Sequence, residues 1–131
     1  MERFRIYVDT SVLGGCFDPE FAVWSNGLIR DFRAGRLTPV LSDLTAAEVR
    51  DAPEPVRDLH QELLLLAGRV LAVTPEVASL VAAYEARRVL PARFQADMSH
   101  IALATLAEVD ALVGWNFKHI VRPKRFACST Q

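Results

Sequence analysis

Four short apolar segments alternate with stretches of helical periodicity along this chain, and that order is the strongest constraint on its fold. The apolar segments are rich in aliphatic, aromatic and β-branched side chains, which predicts strands. They cover residues 4–8, 38–41, 70–73 and 111–115. The resulting order, β-α-β-α-α-β-α-α-β, predicts an α/β domain with a mainly parallel central sheet.

Capping signals set the expected ends of several helices. Asp18 before Pro19 predicts a helix start, and Gly35 predicts the end of that helix. Thr74 before Pro75 predicts another start. Further helices are expected at residues 44–50, with Asp43 as its cap, at 56–67, ended by Gly68, and at about 95–107.

Length and composition favour one domain over residues 1–131. Because 51% of the residues are hydrophobic, disorder is excluded and a substantial core is expected. The longest apolar run, residues 63–68, is too short to cross a membrane. The N-terminus shows no signal-peptide pattern, and Cys16 and Cys128 lack CxxC spacing. A cytoplasmic protein with free thiols is therefore expected.

Polar side chains follow the apolar segments where separate elements should meet. Asp9 follows the first predicted strand and Asn116 follows the fourth, so both are expected at the carboxyl edge of the sheet, where open parallel sheets bind ligands. Glu48 lies in a predicted helix, and Asp97 and His100 are one helical turn apart in another. Carboxylates brought together repel one another unless a cation compensates them. The pattern predicts a site for Mg²⁺ or Mn²⁺ that acts on phosphodiesters.

Each of these residues also has a purely structural interpretation. Asp9 and Asp97 are suited to capping, and Glu48 to an exposed helix face. His100 lies among apolar residues, as a packed histidine does, and the spacing does not fit a zinc site of histidines and cysteines. Asn116 has the composition of a turn cap. These alternatives stay open at the level of single residues.

Competing chemistries find no support in the sequence. It contains no G-x-G-x-x-G or P-loop, and no G-x-S-x-G elbow. Asp9 has no second aspartate two residues later, which a phosphoaspartyl hydrolase needs. Metal-assisted hydrolysis is the chemistry that remains.

Taken in order, the polar segments resemble the motifs of PIN domains. The resemblance rests on Val8-Asp9-Thr10-Ser11, on Glu48, and on two longer segments, 97–104 and 112–119, with the sequences Asp-Met-Ser-His-Ile-Ala-Leu-Ala and Leu-Val-Gly-Trp-Asn-Phe-Lys-His. It implies a three-layer α/β/α sandwich whose central parallel sheet has four or five strands. It also implies a Mg²⁺- or Mn²⁺-dependent ribonuclease, in particular the VapC-like toxin of a type II toxin–antitoxin pair.

The resemblance also assigns roles to individual residues. Asp9, Glu48 and Asp97 match the acidic triad that holds the metal, and Asn116 stands where many members have a fourth acid. Asp9, Glu48, Asp97 and Asn116 are thus the expected catalytic residues. Supporting roles are expected for Thr10, Ser11 and His100, and RNA contacts for Lys118 and His119.

Further expectations concern partners, the C-terminal tail and rival functions. RNA is the expected substrate, an antitoxin is a possible partner, and the aromatic helix carrying Phe21, Trp24 and Phe32 favours a homodimer. The tail from about residue 122 is expected to be divergent or truncated relative to the family pattern. The main rival is a PIN-fold module that binds RNA or protein with little or no catalysis, and a small phosphatase or DNA nuclease ranks third.

Overall fold

The structure is a computed structural model that describes residues 4–67, 69–87, 95–115 and 119–121, without the side chains of residues 95–97 and 119–121. The predictions for Gly68, Lys118, Asn116, Cys128 and the tail concern residues outside the described ranges. Within the described part of the chain, no helix combines the length and hydropathy needed to cross a bilayer.

The described residues form a sheet of five strands: β1 (Phe4–Val8), β2 (Leu37–Ser42), β3 (Arg69–Leu71), β4 (Ala111–Gly114) and β5 (His119–Val121). Their order across the sheet is β3-β2-β1-β4-β5. The first four strands are parallel, as predicted, and β5 runs antiparallel to β4 at one edge. On the central strand β1, Tyr7 pairs with Val40 of β2 and with Leu112 of β4.

Helices cover both faces of this sheet and form the predicted three layers. The helices of the described residues are α1 (Thr10–Gly15), α2 (Ala22–Arg33), α3 (Asp43–Val49), α4 (Glu54–Leu66), α5 (Pro75–Ala86) and α6 (Gln95–Leu106). Alternate side chains of β1 divide between two cores, because successive residues of a strand point to opposite faces. Ile6 and Val8 pack with α1, α2 and α4, and Tyr7 packs with α5 and α6.

Two of the expected helix ends are confirmed in detail. The side chain of Thr74 accepts a hydrogen bond from the backbone N–H of Val77 at the start of α5. Gly35 follows α2 with a φ of 76°, a value that glycine adopts without strain. The backbone N–H groups of Gly35 and Arg36 donate to the carbonyls of Phe32 and Asp31, which is the hydrogen-bond pattern of a Schellman motif.

Two other cap predictions were wrong. Asp18 caps a turn in which its Oδ1 accepts the N–H of Glu20, and α2 begins later, at Ala22. Ser42, rather than Asp43, is the N-cap of α3, and its hydroxyl accepts the N–H of Thr45. The carboxylate of Asp43 instead accepts the N–H of Val73, and so joins the start of α3 to the chain after β3.

Candidate metal centre

Asp9 lies where β1 ends, at the predicted edge of the sheet. Its backbone N–H donates to the carbonyl of Val113 on β4 at 3.0 Å, so the two central strands stay paired up to the site. The side chain is almost fully buried, with 2% of the residue exposed. Among the described residues its carboxylate contacts the Ser11 hydroxyl and the His100 ring, and it forms no capping bond to α1.

Ser11 fixes the orientation of the Asp9 carboxylate. Its Oγ donates to Oδ2 of Asp9 at 2.7 Å and accepts the backbone N–H of Trp115 at 2.9 Å. One hydroxyl therefore links the first turn of α1 to the chain that leaves β4. A buried carboxylate needs such a fixed donor, and the supporting role of Ser11 at a metal site stays a prediction.

Glu48 reaches the same point from α3. Its Oε1 accepts the hydroxyl of Thr10 at 2.5 Å and lies 2.8 Å from Nε2 of His100. The side chain is 31% exposed, so this carboxylate forms the solvent side of the cluster. The hydrogen bond with His100 is the main cause that lowers the pKa of Glu48 below its ordinary value, and burial opposes that effect.

His100 of α6 lies between the two carboxylates. Its Nε2 is 2.8 Å from Oε1 of Glu48 and 3.1 Å from Oδ1 of Asp9, and its side chain is 1% exposed. One potential ligand atom from each of the three residues lies within 4.8 Å of the others. Sequence reasoning gave His100 only a supporting role, whereas the structure places it at the centre of the cluster.

Behind His100, the buried hydroxyl of Tyr7 lies 2.6 Å from Nδ1. Burial raises the pKa of Tyr7 well above its ordinary value, so the phenol keeps its proton. The involvement of Tyr7 was missed in the sequence. The alternation of strand side chains contained the signal, because residues 7 and 9 project from the same side of an extended chain.

The structure tests the remaining predicted site residues only in part. Asp97 belongs to α6 three residues before His100, but its side chain lies outside the described residues, and so does that of His119. Asn116 and Lys118 lie wholly outside the described residues. Their roles at the site stay predictions.

The three described donors fit a divalent ion. Two carboxylates and one imidazole present oxygen and nitrogen ligands that Mn²⁺ accepts, while Mg²⁺ favours the oxygens. The ligand atoms come from β1, α3 and α6, which are separate in sequence, so the fold itself gathers them. A cation here would offset the charge of two closely spaced carboxylates, one of which is buried.

A largely apolar groove of about 910 Å³ adjoins this edge of the sheet. The groove is bordered by Val113 and Trp115, and by Trp24 and Leu28 of α2. The carbonyl of Val113 accepts the N–H of Asp9, and the N–H of Trp115 donates to the hydroxyl of Ser11. The ring of Trp115 stacks on Phe21 with centroids 5.5 Å apart, and its Nε1 donates to Ser25 at 2.7 Å.

Comparisons with known proteins support the fold. No family model and no curated protein matches the chain. The crystal structure of FitAcB from Neisseria gonorrhoeae matches with a TM-score of 0.54 and 24% sequence identity, over 79% of this chain and 83% of that chain. This likeness confirms the PIN-like α/β sandwich that the sequence predicts.

Proposed function

We propose that this protein is a divalent-metal-dependent endoribonuclease of the PIN domain family, and that it is the toxin of a type II toxin–antitoxin pair. One observation carries the proposal: the carboxylates of Asp9 and Glu48, 39 positions apart in sequence, meet at the carboxyl edge of the sheet around the buried ring of His100. The order of the sequence motifs and the PIN-like fold support it further.

In this proposal Asp9, Glu48 and Asp97 hold the metal ion. The ion, when bound, polarises a phosphate oxygen and lowers the pKa of a water molecule. The chain itself keeps the ligands in place: Ser11 orients Asp9, and Thr10 orients Glu48. Asn116 is proposed to position water near the ion from the end of β4.

The proposed substrate is single-stranded or looped RNA. Its phosphates would be held by Lys118 and His119, and by the basic residues that follow them in the sequence. The net charge of −1 favours contacts at a local basic surface over binding by overall charge. The apolar groove beside Trp24 is the proposed contact for a protein partner, either an antitoxin or a second copy of the chain.

A toxin of this type acts on cytoplasmic RNA, and we propose that location. Cys16 is a free and buried cysteine, and burial raises the pKa of its thiol, which disfavours the reactive thiolate.

A second candidate is a PIN-fold binding module with little catalysis. It is favoured by His100, which already bonds both carboxylates and, when protonated, offsets part of their charge without a metal. The amide of Asn116 at the fourth acidic position favours the same alternative.

An RNA cleavage assay separates the two candidates. Purified protein is incubated with structured and unstructured RNA in Mg²⁺, in Mn²⁺ and in chelator. The nuclease proposal requires cleavage that depends on the metal and is lost in Asp9→Asn, while Asp58→Asn, the same change at an exposed aspartate of α4, retains it. Cleavage in chelator, or equal cleavage by Asp9→Asn, contradicts the mechanism. RNA or protein binding without cleavage favours the binding module.

A further inference from the structure

A continuous hydrogen-bond relay lies behind the acidic cluster, in the core between β1, β2, α3 and α6. The hydroxyl of Tyr7 is 2.6 Å from Nδ1 of His100 and 2.7 Å from Oγ of Ser42. Ser42 in turn accepts the backbone N–H of Thr45 at 3.3 Å, and its Oγ lies 3.4 Å from the Thr45 hydroxyl. Tyr7, Ser42, Thr45 and His100 are each at most 1% exposed, so water does not compete for these bonds.

In the metal-free protein the direction of the relay follows from the two carboxylates that face Nε2 of His100 and from the nearer acceptor of Ser42. The backbone N–H of Thr45 can only donate, so Ser42 accepts there and has one hydrogen left to give. The nearer acceptor for that hydrogen is the Tyr7 oxygen. Tyr7 then donates to Nδ1 of His100, and the ring proton is on Nε2, facing the oxygens of Asp9 and Glu48. This is the only neutral tautomer that avoids a lone pair aimed at two carboxylates.

The relay therefore determines where Nε2 lies. A tilt of 59° between the rings of Tyr7 and His100, with centroids 5.5 Å apart, adds packing to the hydroxyl contact. Without the hydroxyl, Nδ1 would be a buried acceptor without its donor, and the ring would lose the bond that holds it toward the carboxylates.

We infer that Tyr7 is a positioning residue of the candidate metal centre: its hydroxyl holds the His100 ring so that Nε2 serves as a nitrogen ligand beside Asp9 and Glu48. The inference rests on the metal role proposed above. Metal-bound histidines generally give their second ring nitrogen to a fixed hydrogen-bond partner, and loss of that partner weakens metal binding.

The relay also allows Nε2 to act as a ligand. A ligating Nε2 must present its lone pair, which places the ring proton on Nδ1. That proton then donates to the Tyr7 oxygen, Tyr7 donates to Ser42, and Ser42 donates to the Thr45 hydroxyl. The His100 ring carries one proton in both arrangements, because the proton is on Nε2 in the first and on Nδ1 in the second. Every buried hydroxyl stays hydrogen-bonded in either state.

Calorimetric titration with Mn²⁺ tests the ligand role. Tyr7→Phe keeps the ring in the core and removes the hydroxyl, and we expect it to weaken Mn²⁺ binding about 10–100-fold. Tyr84→Phe is the matched control, because Tyr84 is buried in the same core and its hydroxyl contacts Thr105, away from the cluster. An unchanged dissociation constant in Tyr7→Phe, or an equal loss in Tyr84→Phe, overturns the inference and leaves the proposed function standing.

Nitrogen-15 NMR of the metal-free protein tests the positioning itself. The chain has three histidines, and the His100 signals are assigned by their loss in His100→Gln. We expect wild-type His100 to carry its proton on Nε2 with a strongly hydrogen-bonded Nδ1, and the Nδ1 signal to shift in Tyr7→Phe but not in Tyr84→Phe. Identical His100 signals in wild type and Tyr7→Phe overturn the inference. Absence of Mn²⁺ binding by the wild type contradicts the proposed function and the ligand role together, while the NMR comparison still decides the positioning.

Discussion

Nε2 of His100 lies 2.8 Å from Oε1 of Glu48, although the two residues are 52 positions apart in the chain. The contact joins α6 to α3 at the carboxyl edge of the sheet. Asp9, directly after β1, adds a second carboxylate, whose Oδ1 lies 3.1 Å from the same Nε2. A buried imidazole shared by two carboxylates is either a structural ion pair or the ligand set of a cation.

Two adjacent glycines of α1 give opposite predictions. A Cβ on Gly15 would lie 2.5 Å from Oγ of Ser25 and 2.6 Å from Nε1 of Trp115, whereas a Cβ on Gly14 meets no atom within 4 Å. We expect Gly15→Ala to destabilise the protein by about 1–3 kcal/mol through overpacking. Gly14→Ala should stabilise it by about 0.5–1 kcal/mol through helix propensity. Urea denaturation of both variants is the measurement, and equal midpoints would show that α1 does not pack on Trp115 as described.

Much of this fold was accessible from the sequence because its signals are local. The apolar runs gave the four parallel strands, and Thr74 and Gly35 gave helix ends whose hydrogen bonds the structure confirms. α1 was missed because Asp9-Thr10-Ser11 has turn chemistry and because the segment ends in Gly14 and Gly15, which have low helix propensity. The start of α2 was placed too early because Asp18 followed by proline initiates a turn as readily as a helix.

Only those residues of the candidate site whose type and position are conspicuous in the sequence could be predicted. Asp9 and Glu48 stood out as acids next to apolar segments, and the fold brings them together. Tyr7 and Ser42 did not stand out, because a tyrosine within a strand and a serine before a helix have ordinary core and cap roles. Their part in the site depends on the pairing of β1 with β2 and on the packing of α6 against β1, which brings His100 to Tyr7. Both are long-range features.

His60 of α4 predicts a loss of stability in acid. His60 is 5% exposed, and its Nε2 has no hydrogen-bond partner among the described residues. Burial lowers the pKa of His60 below the ordinary value. The unfolded chain therefore binds the proton more readily, so stability should fall as the pH drops through about 6.5. In His60→Leu the difference in urea midpoint between pH 8 and pH 5 should shrink. An equal difference in both proteins would contradict a buried neutral His60.

The exposed face of α2 predicts self-association. Val23 is 76% exposed and Trp24 is 68% exposed beside the apolar groove, which is more apolar surface than a monomer needs. We expect light scattering to show a dimer that dissociates in Trp24→Lys. Leu65→Lys, at an 89% exposed position of α4, is the control and should stay dimeric. A wild type that is monomeric over a wide concentration range would contradict this assembly.

Asn116→Asp tests whether a missing charge limits the site. A fourth carboxylate after β4 would add to the charge that attracts a divalent ion, so RNA cleavage at low Mn²⁺ should increase. The double variant Asn116→Asp with Asp9→Asn is the control and should remain inactive. Flat or reduced cleavage in the single variant would assign Asn116 to positioning water, with its amide as the required group.

Anomalous diffraction from crystals soaked in Mn²⁺ shows whether a divalent ion binds at this cluster. We predict a manganese peak within bonding distance of carboxylate oxygens of both Asp9 and Glu48, and no such peak in Asp9→Asn crystals treated alike. A wild-type map without manganese at that position, with Nε2 of His100 still bonded to both carboxylates, would contradict the claim that this cluster is a metal centre.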